Sequence, residues 1–464
     1  MMLPEFERHP RAVRQLAASL VGLRNHRLRF GSEYRKWQAI LAATAGLSER
    51  DRWNWQRERL LELVGRIRGT TSYYADTLPS RDSLAAARGL REALDAIPLL
   101  EKGVVRAQPE RFRNTGVKQA TVTSTSGSTG APMQFGHDQC SIQRRFAFLH
   151  DHYRMVGVGP FDPSVRLSGR ILCRVGTTHA KPWLFNPFEN QLFLSSYHLD
   201  DEHAQAVWRK LDRFRPSLID GYPSGILEAL RMLDRRGHRL QSLRGIITTA
   251  ETLQPDVREE LEALSGAPVM DYYAASEGVP FIQQCPQGTY HVRWQSGIFE
   301  VRDGDRVSFS GSGELVCTSF IQDRTPLLRY CTGDLVEGLD QAGQPCPCGL
   351  HTPTVHKVLG RVEDMVYTKD GRALGMFTYR TLKLIEGLLE TQVIQHGYAD
   401  FEVNSVCAAG RDVSQIAEAV KASFERTLGY PITLRFNPVA RIPRGANGKV
   451  RLVVSKVTRK VLEQ

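Results

Sequence analysis

The stretch from Leu243 to Ser276 limits the possible folds more than any other part of the chain. Two of its segments, LRGIITTA and APVMDYYAAS, have the length and apolar content of buried strands. Between them, QPDVREELEALSG has the apolar spacing of a helix. A strand, a helix and a second strand in this order predict a parallel sheet with right-handed crossovers, and therefore an α/β fold.

The segments on either side of this unit extend the prediction. The first hundred residues, about 1–100, are predicted to be helical, because segments such as RLLELVGRIR carry apolar residues at helical spacing. VWRKLDRF and SGILEALRMLDRRG are two further predicted helices. From about Gly297 onward, short alternating runs separated by glycines predict antiparallel strands. We therefore expect a large domain of helices and mixed sheets.

The last hundred residues form a second unit in the sequence. FEVNSVCAAG, DVSQIAEAVKASFERTLG and ITLRFNPVARI predict a strand, a helix and a strand. This length is sufficient for a small α+β domain. We place the boundary within GRVEDMVYTKDG, which divides the chain into residues 1–363 and residues 364–464.

Composition, the N-terminal sequence and the number of cysteines limit the classes of protein to which the chain can belong. The 464 residues are 41% hydrophobic and 24% charged, as in an ordinary globular protein. The N-terminal sequence MMLPEFERHPR lacks the apolar core of a signal peptide, and the apolar run Gln15–Leu23 is too short to span a bilayer. Eight cysteines in a chain of this length do not suggest a secreted disulfide framework. We expect a cytoplasmic protein without a membrane span.

The net charge of +11 leaves the kind of partner open. Basic stretches such as RNHRLRFGSEYRKW fit a polyanionic partner, for example a nucleic acid, a membrane surface or a nucleotide-like ligand. Solvated helix faces explain the same charges without any partner. A nucleic-acid-binding protein would bind DNA or RNA in a salt-sensitive manner, and we do not expect a nucleic-acid partner here.

The segment TSTSGSTGAP, which ends at Pro132, concentrates hydroxyls and glycines in one short loop. Glycine allows the backbone to approach a ligand closely, and serine and threonine add donors without bulk. Successive N–H groups in such a loop form an anion-binding nest. It is not a Walker A loop, because Met133 stands where a lysine is expected. A flexible linker is the alternative, but strand-like segments, VKQATVT and MQFGHD, flank the loop.

The loop also resembles the phosphate loop of the adenylate-forming superfamily, which contains acyl-CoA synthetases, adenylation domains of peptide synthetases and luciferases. Four more motifs resemble those of the family and follow in the family's order. They are DYYAASEG (Asp271–Gly278), YCTGDL (Tyr330–Leu335), GRVED (Gly360–Asp364) and PRGANGKVR (Pro443–Arg451). Three shorter segments, GYPSG, TTAE and CPCG, are similar to those of the phenylacetate-CoA ligase branch, which includes CapK-type proteins.

This resemblance implies a reaction in which a carboxylate and ATP give an acyl adenylate and pyrophosphate, after which a second nucleophile takes the acyl group. Lys449 is the implied catalytic lysine, a mobile point charge that bridges the carboxylate and the α-phosphate. Glu277 is implied to hold Mg²⁺, and the Ser276 hydroxyl to reach the α-phosphate. In the family, the small domain rotates about the position of Asp364 between the two half-reactions.

The resemblance also implies a set of nucleotide-binding residues: Ser126, Gly127, Ser128, Thr129, Gly130, Ala250, Glu251, Asp271, Tyr272, Tyr273, Asp334 and Arg361. The glycine- and serine-rich members cradle the β- and γ-phosphates. Tyr273 stacks on the adenine, and Asp271, which replaces the family's asparagine, accepts from the adenine amino group. Asp334 accepts from the ribose hydroxyls, and Arg361 contacts the ribose or a phosphate. Gly221, Tyr222 and Ala250 are implied to line the acyl pocket.

A metal site is predicted beside the nucleotide site. Cys285 and His291 lie in CPQGTYH, and Cys346 and Cys348 lie in CPCG. Together they make a Cys₃His set, which is the composition of a closed structural zinc site. Four unrelated residues with buried reduced thiols are the alternative. For His137 and His152, a structural role in the core is the favoured interpretation.

The predicted function is therefore ATP-dependent activation of an aromatic or other small carboxylic acid, followed by thioester formation with CoA. The alternative keeps the adenylation and transfers the acyl group to an amine or to a carrier-protein thiol. A non-catalytic member of the family is disfavoured because Glu277, Asp334, Arg361 and Lys449 are all present. ATP, Mg²⁺, structural Zn²⁺ and CoA are the predicted cofactors, and the helical N-terminal region is a possible homodimer surface.

Overall fold

A computed structural model describes residues 6–124, 133–168, 172–173, 181–195, 199, 201–361, 365–369, 373–374, 377–382, 385–443 and 451–457. Helices and strands alternate through the middle of the chain, and antiparallel strands dominate the part that follows. The predicted α/β class is confirmed.

The predicted helical start is confirmed. Its helices are α1 (Arg11–Arg29), α2 (Ser32–Thr44), α3 (Glu49–Ile67), α4 (Ser72–Thr77), α5 (Arg81–Ala85), α6 (Leu90–Asp95) and α7 (Lys102–Ala107). Helix α3 begins after Ser48, whose hydroxyl accepts a hydrogen bond from the Asp51 N–H. One face of α3 buries Leu60 and Leu63 in an apolar cluster that also contains Phe299 of a later sheet. Helix α3 therefore packs on the antiparallel part of the protein, whereas α1 and α2 contact α8, and α1 also contacts the edge strand β4 of the central sheet.

A hairpin carries the predicted phosphate loop. Strands β1 (Gln119–Ser124) and β2 (Gln134–Asp138) are antiparallel, with Thr123 opposite Phe135. Helix α8 (Gln139–Arg154) follows directly, and the Asp138 carboxylate caps it by accepting from the Ser141 N–H at 2.9 Å. Both predicted flanking strands are confirmed, and they pair with each other. Residues 125–132, which contain most of the predicted phosphate loop, lie outside the described residues.

The central sheet has nine strands within the described residues, in the order β15-β10-β9-β8-β7-β6-β3-β5-β4. Its strands are β3 (Ser164–Ser168), β4 (Trp183–Asn186), β5 (Gln191–Ser195), β6 (Leu218–Gly221), β7 (Gly245–Thr249), β8 (Val269–Tyr273), β9 (Ile282–Gln284), β10 (Tyr290–Val292) and β15 (Thr354–Val355). The connecting helices are α9 (Asp201–Phe214), α10 (Pro223–Asp234) and α11 (Pro255–Ser265). Strands β5, β3, β6, β7 and β8 run parallel, which confirms the prediction.

The predicted antiparallel region is also confirmed. It forms a five-stranded sheet in the order β12-β11-β13-β14-β16. The strands are β11 (Gly297–Asp303), β12 (Arg306–Ser308), β13 (Gly311–Ser319), β14 (Tyr330–Leu339) and β16 (Lys357–Arg361). Asp334 on β14 lies directly opposite Arg361 on β16, which brings the YCTGDL and GRVED motifs together.

The C-terminal part has its own sheet and apolar cluster. Its elements are β17 (Val366–Tyr367), β18 (Ala373–Leu374), α12 (Phe377–Leu382), β19 (Leu388–Gly397), β20 (Asp400–Cys407), α13 (Val413–Leu428), β21 (Thr433–Pro438) and β22 (Val453–Ser455). Four of the strands form a sheet in the order β21-β20-β19-β22. Phe377, Phe401 and Phe424 pack together in its core. The predicted strand, helix and strand are present as β20, α13 and β21.

The search of the described helices for a membrane span found none with the length and hydropathy that crossing a bilayer requires.

Candidate nucleotide and metal sites

The carboxyl ends of β6, β7 and β8 lie side by side in the central sheet. Gly221 pairs with Thr248, and Thr248 pairs with Asp271. In open α/β sheets, ligands bind outside the carboxyl ends of the parallel strands. The GYPSG, TTAE and DYYAASEG segments, which are far apart in the sequence, therefore meet at the edge where such a ligand is expected.

Backbone constraints shape this edge. Ala250, directly after β7, has φ +71°, a left-handed conformation that is unfavourable by about 1 kcal/mol for a residue with a side chain. Gly221 packs so closely on β3 that a Cβ atom would lie 2.1 Å from the Leu167 carbonyl oxygen. The Glu251 carboxylate accepts from the Ser224 N–H at 3.2 Å and from its hydroxyl at 3.1 Å, in the first turn of α10. Ala250 and Glu251 are thus held at the strand ends.

Asp271 is buried at the end of β8 and has two hydroxyl partners. The Thr248 hydroxyl donates to Oδ1 at 2.8 Å, and the Tyr290 hydroxyl donates to Oδ2 at 3.0 Å. Burial raises the pKa of the Asp271 carboxyl to about 6, because two neutral donors do not replace the hydration of a carboxylate. The position predicted to contact adenine therefore carries a carboxylate in an environment that suits a neutral group.

Replacing Asp271 with asparagine is expected to stabilise the protein near neutral pH. A pKa raised from 3.8 to about 6 corresponds to about 3 kcal/mol. Because the folded-state pKa is the higher one, wild-type stability rises as the pH falls through about 6 towards 4. The advantage of Asp271→Asn is therefore expected to vanish near about pH 4. Melting temperatures of both proteins across this pH range check the prediction, and a variant less stable than the wild type at neutral pH contradicts it.

Tyr273 connects the central sheet to the antiparallel sheet. Its hydroxyl donates to Asp334 Oδ2 at 2.6 Å. Burial, and then the nearby Asp334 charge, raise the pKa of the Tyr273 phenol, so it stays protonated and donates this hydrogen bond. Gly333, with φ +73°, makes the backbone turn that precedes Asp334. The ring predicted to stack on adenine and the carboxylate predicted to bind ribose are therefore positioned by each other.

Tyr272, the residue between Asp271 and Tyr273, faces helix α8. Its ring centre is 6.1 Å from that of His152, and its side chain packs with apolar residues beneath the sheet end. His152 is buried and lies 2.7 Å from the Gln284 carbonyl oxygen through Nε2, as expected for a structural histidine.

Glu277 is the most buried acidic residue of the DYYAASEG segment, with 3% of its surface exposed. Its Oε1 atom lies 3.8 Å from Lys102 Nζ at the start of α7. Its Oε2 atom is buried and has no hydrogen-bond partner among the described residues. A buried carboxylate oxygen without a donor is costly for the protein alone. A hard cation such as Mg²⁺ fits this atom, since carboxylate oxygen is its preferred protein ligand.

A chain of hydrogen bonds ties the segment before Glu277 to the phosphate-loop hairpin. The Gln322 amide Nε2 lies 3.1 Å from the Gly136 carbonyl oxygen and 2.9 Å from His137 Nδ1. Since this nitrogen donates, His137 Nδ1 accepts, and the proton of the neutral ring is on Nε2. Nε2 lies 2.7 Å from the Thr123 hydroxyl, which donates to the Ser276 carbonyl oxygen at 2.9 Å.

The protonation state of His137 suits its place in this chain of hydrogen bonds. Burial lowers the pKa of the ring to about 4, so His137 is neutral near pH 7. The ring is 2% exposed and fully hydrogen-bonded, as expected for a structural histidine. In addition, its Nε2–H donates to the Thr123 hydroxyl near the end of β1, and this hydroxyl contacts Ser276, next to the predicted magnesium ligand.

Thr123→Val tests this link, because valine keeps the shape of threonine and removes the hydroxyl. The Ser276 carbonyl oxygen and His137 Nε2 both lose a partner, a loss of about 1–3 kcal/mol. We expect the affinity for Mg²⁺–ATP, measured by calorimetry, to fall about tenfold. Thr123→Ser, which keeps the hydroxyl, is the matched control. Equal affinities in both variants would contradict the role of the hydroxyl.

Several predicted site residues lie outside the described part of the chain. These are Ser126, Gly127, Ser128, Thr129, Gly130, Asp364 and Lys449. For Arg361, the structure describes the backbone in β16 and its pairing with Asp334. These assignments stay predictions.

The four predicted metal ligands come together in space. The ligand atoms of Cys285, His291, Cys346 and Cys348 all lie within 4.8 Å of one another. Cys285 Sγ is 3.8 Å from Cys346 Sγ, and Cys348 Sγ is 3.3 Å from His291 Nε2. Tetrahedral zinc with Zn–S near 2.3 Å and Zn–N near 2.05 Å requires separations of about 3.8 Å and about 3.6 Å, respectively. The side chains thus fit a zinc ion in composition and in spacing.

Two similar turns present the cysteines. In CPQG the Gly288 N–H donates to the Cys285 carbonyl oxygen, and in CPCG the Gly349 N–H donates to that of Cys346, both at 2.9 Å. The two glycines have φ of +84° and +87°, which closes each turn around its thiol. His291 Nδ1 lies 3.0 Å from the Thr352 hydroxyl, which orients Nε2 towards the cluster. The site joins the β9–β10 hairpin to the segment before β15.

Comparisons with known proteins agree with this geometry. The family model of the CapK C-terminal domain matches residues 366–456. The chain is 25% identical over 410 residues to Protein CapK of Staphylococcus aureus, covering 88% of this chain and 90% of that protein. It is 25% identical over 449 residues to the phenylacetate-coenzyme A ligase of Thermus thermophilus, covering 86% of this chain and 95% of that protein. The chain belongs to the adenylate-forming superfamily. Within it, the chain falls in the branch of CapK and the phenylacetate-CoA ligases.

A solved member of the superfamily has the same fold. The crystal structure of 2-hydroxyisobutyryl-CoA ligase, in the postadenylation state with R3-HIB-AMP, matches with a TM-score of 0.66 at 16% identity. The match covers 88% of this chain and 90% of that one.

In this adenylate-forming protein, sequence motifs did not reveal three residues at the site. They are Lys102, Thr123 and Tyr290. Lys102 lies beside Glu277, Thr123 joins two motifs, and Tyr290 contacts Asp271. Tyr290 is adjacent to a predicted metal ligand, and that adjacency was the one signal available in the sequence.

Proposed function

We propose that the protein activates a carboxylic acid with ATP and transfers the acyl group to CoA. In the first step, a carboxylate oxygen bonds to the α-phosphorus, and the bond from this phosphorus to the leaving pyrophosphate oxygen breaks. In the second, the CoA sulfur attacks the acyl carbon and AMP leaves. The observation that carries the proposal is Glu277, a buried carboxylate with an unpartnered oxygen at the strand ends where the family motifs converge.

Residues within the described part of the chain are proposed to recognise the nucleoside. Asp334, held by the Tyr273 hydroxyl, would accept from the ribose hydroxyls, and the Tyr273 ring would stack on the base. Asp271 would accept from the adenine amino group. Ala250 and Glu251 would close the same edge. The neutral His137 and Thr123 would hold Ser276 beside the end of β1, so that this part of the site is positioned before ATP binds.

Glu277 is the residue that would hold Mg²⁺. The ion, when bound, neutralises phosphate charge next to the reacting oxygen. Lys102, 3.8 Å from Glu277, adds a second positive charge on this side. Lys449 is proposed to bring a mobile positive charge from the C-terminal domain. Arg441, eight residues before Lys449, lies 3.7 Å from Glu228 of α10, which supports this proposal.

Cys285, His291, Cys346 and Cys348 are proposed to hold a structural zinc ion. Four protein ligands fill a tetrahedral shell and leave no open position for substrate, which favours a structural role. The ligands require reduced thiols, which fits a cytoplasmic protein. We further propose the division into residues 1–363 and 364–464, with Asp364 as the pivot between the two half-reactions.

Carboxylate-dependent release of pyrophosphate tests the proposal. Aryl, arylacetic, amino and short aliphatic acids would be assayed with Mg²⁺–ATP, each with and without CoA. Release with one acid, accelerated by CoA with formation of a thioester, is the expected result. If pyrophosphate is released but CoA does not change its rate, the acyl acceptor would instead be an amine or a carrier-protein thiol. No release with any acid, from folded protein, would overturn the proposed function.

A further inference from the structure

Helix α8 carries two adjacent arginines with very different surroundings. Arg144 is buried between two carboxylates, with Nε 2.7 Å from Glu33 and Nη1 2.7 Å from Asp323. Arg145 is half-buried, and within the described residues its guanidinium makes no ion pair or hydrogen bond. A guanidinium has five N–H donors, and those of Arg145 are available to a ligand. Arg145 is therefore a cation that lacks an acceptor in the protein alone.

Helix geometry places Arg145 on the face of α8 that contacts the central sheet. His152 is seven residues further along α8 and so shares its face. That face contacts the ends of β8 and β9, since His152 reaches the Gln284 carbonyl oxygen and its ring lies 6.1 Å from Tyr272. Arg145 is about 10 Å closer to the start of the helix, on the side of His137. Its charge acts on the pKa of His137, and its own pKa, lowered by burial, responds to Tyr272 and Glu277.

Arg145 and Glu277 have opposite charges, and the Glu277 charge acts on the pKa of Arg145, yet the two side chains form no ion pair within the described residues. Oε2 of Glu277 is buried without a hydrogen-bond partner, and the donors of Arg145 have no acceptor among the described residues. If both side chains had only a structural role, a direct ion pair between them would give each a partner. An oxyanion contacting Arg145, together with a cation on Glu277, satisfies both groups at once.

We propose that Arg145 binds an oxyanion of the reacting groups, either the carboxylate of the acid or the α-phosphate of ATP. The proposal rests on the proposed function and adds a fixed positive charge to the mobile one of Lys449. A carboxylate and a triphosphate repel each other, and a preorganised guanidinium offers two parallel N–H donors to such an oxygen pair. Arg145 would then hold one reactant in place before the C-terminal domain closes.

The test compares Arg145→Gln with Arg154→Gln, the same change at an exposed arginine in the last turn of α8. The first arm measures Mg²⁺–ATP and AMP affinity by calorimetry without any acid. The second measures the KM of the acid that gives the strongest pyrophosphate release. Loss of one charged hydrogen-bond partner should change one of these values about tenfold or more. Weaker nucleotide binding would show that Arg145 binds the α-phosphate. A raised KM of the acid with unchanged nucleotide binding would show that it binds the carboxylate.

Unchanged values in both arms overturn the proposal. So does a melting temperature well below that of the wild type, since it would show that the protein itself satisfies Arg145. Arg145→Lys keeps the charge and loses the planar pair of donors, so it should fall between the wild type and Arg145→Gln. If no acid supports pyrophosphate release by the wild type, the proposed function fails. The calorimetric arm still reports on Arg145, and unchanged nucleotide affinity then overturns this proposal as well.

Discussion

Glu277→Gln is expected to lower carboxylate-dependent pyrophosphate release by about a hundredfold or more. Glutamine has the same shape but lacks the charge that would hold Mg²⁺ beside the phosphates. The same change should leave the melting temperature unchanged or raise it, because Oε2 is buried without a hydrogen-bond donor among the described residues. Loss of activity without loss of stability separates a functional carboxylate from a structural one. Steady-state rates over a range of Mg²⁺ concentrations, with thermal unfolding in parallel, provide the measurement.

Glu337→Gln is the control for this experiment, since Glu337 is half-buried on β14 and belongs to none of the predicted motifs. It should retain the wild-type rate. Glu277→Asp keeps the charge on a shorter side chain, so partial activity with a higher Mg²⁺ requirement is expected. Wild-type rates in Glu277→Gln at moderate Mg²⁺ would show that another group holds the metal.

Cys348→Ser is expected to remove zinc and to lower the melting temperature by roughly 5–10 °C. The four ligand atoms converge within 4.8 Å and connect two segments about sixty residues apart, so losing the ion releases both turns. Metal analysis of the purified protein should give about one zinc per chain for the wild type and almost none for the variant. Treating the wild type with a zinc chelator should reproduce the lower melting temperature.

The matched control is Cys407→Ser, the same substitution on β20 of the C-terminal sheet. It should keep both the zinc and the wild-type melting temperature. A wild-type protein that contains no zinc when purified in its presence, and that melts at the same temperature with chelator, would show that the four residues are only packed together.

Local patterns predicted the order of elements because the periodicity of each segment agrees with its place in the fold. The largest differences are at the ends of elements. APVMDYYAAS was predicted to continue as strand to Ser276, but β8 ends at Tyr273. The chain leaves the sheet there for a turn, in which the Gly278 N–H donates to the Ala275 carbonyl oxygen and Gly278 has φ +85°. Helix α9 begins at Asp201, earlier than the apolar pattern indicated.

The candidate site was predictable where its residues belong to contiguous motifs, as Asp271, Glu277 and Asp334 do. The partners of those residues could not be predicted, because distant segments supply them only after folding. Lys102 reaches Glu277 from a helix far earlier in the chain. The sequence alone does not distinguish Arg144, which is paired with two carboxylates, from its neighbour Arg145, which lacks an acceptor. That distinction depends on which face of α8 contacts the sheet.

Strand β10 connects the two sites of the large domain. Its Tyr290 side chain donates to Asp271 at the predicted adenine position, and the next residue, His291, points from the other face into the metal cluster. One short strand thus contributes to both proposed sites, and we expect it to couple them. Thermodynamic linkage makes such coupling reciprocal, so a metal ion that tightens nucleotide binding is itself retained more firmly when nucleotide is bound. In a cell short of zinc, the nucleotide-loaded molecules would then be the last to lose their metal.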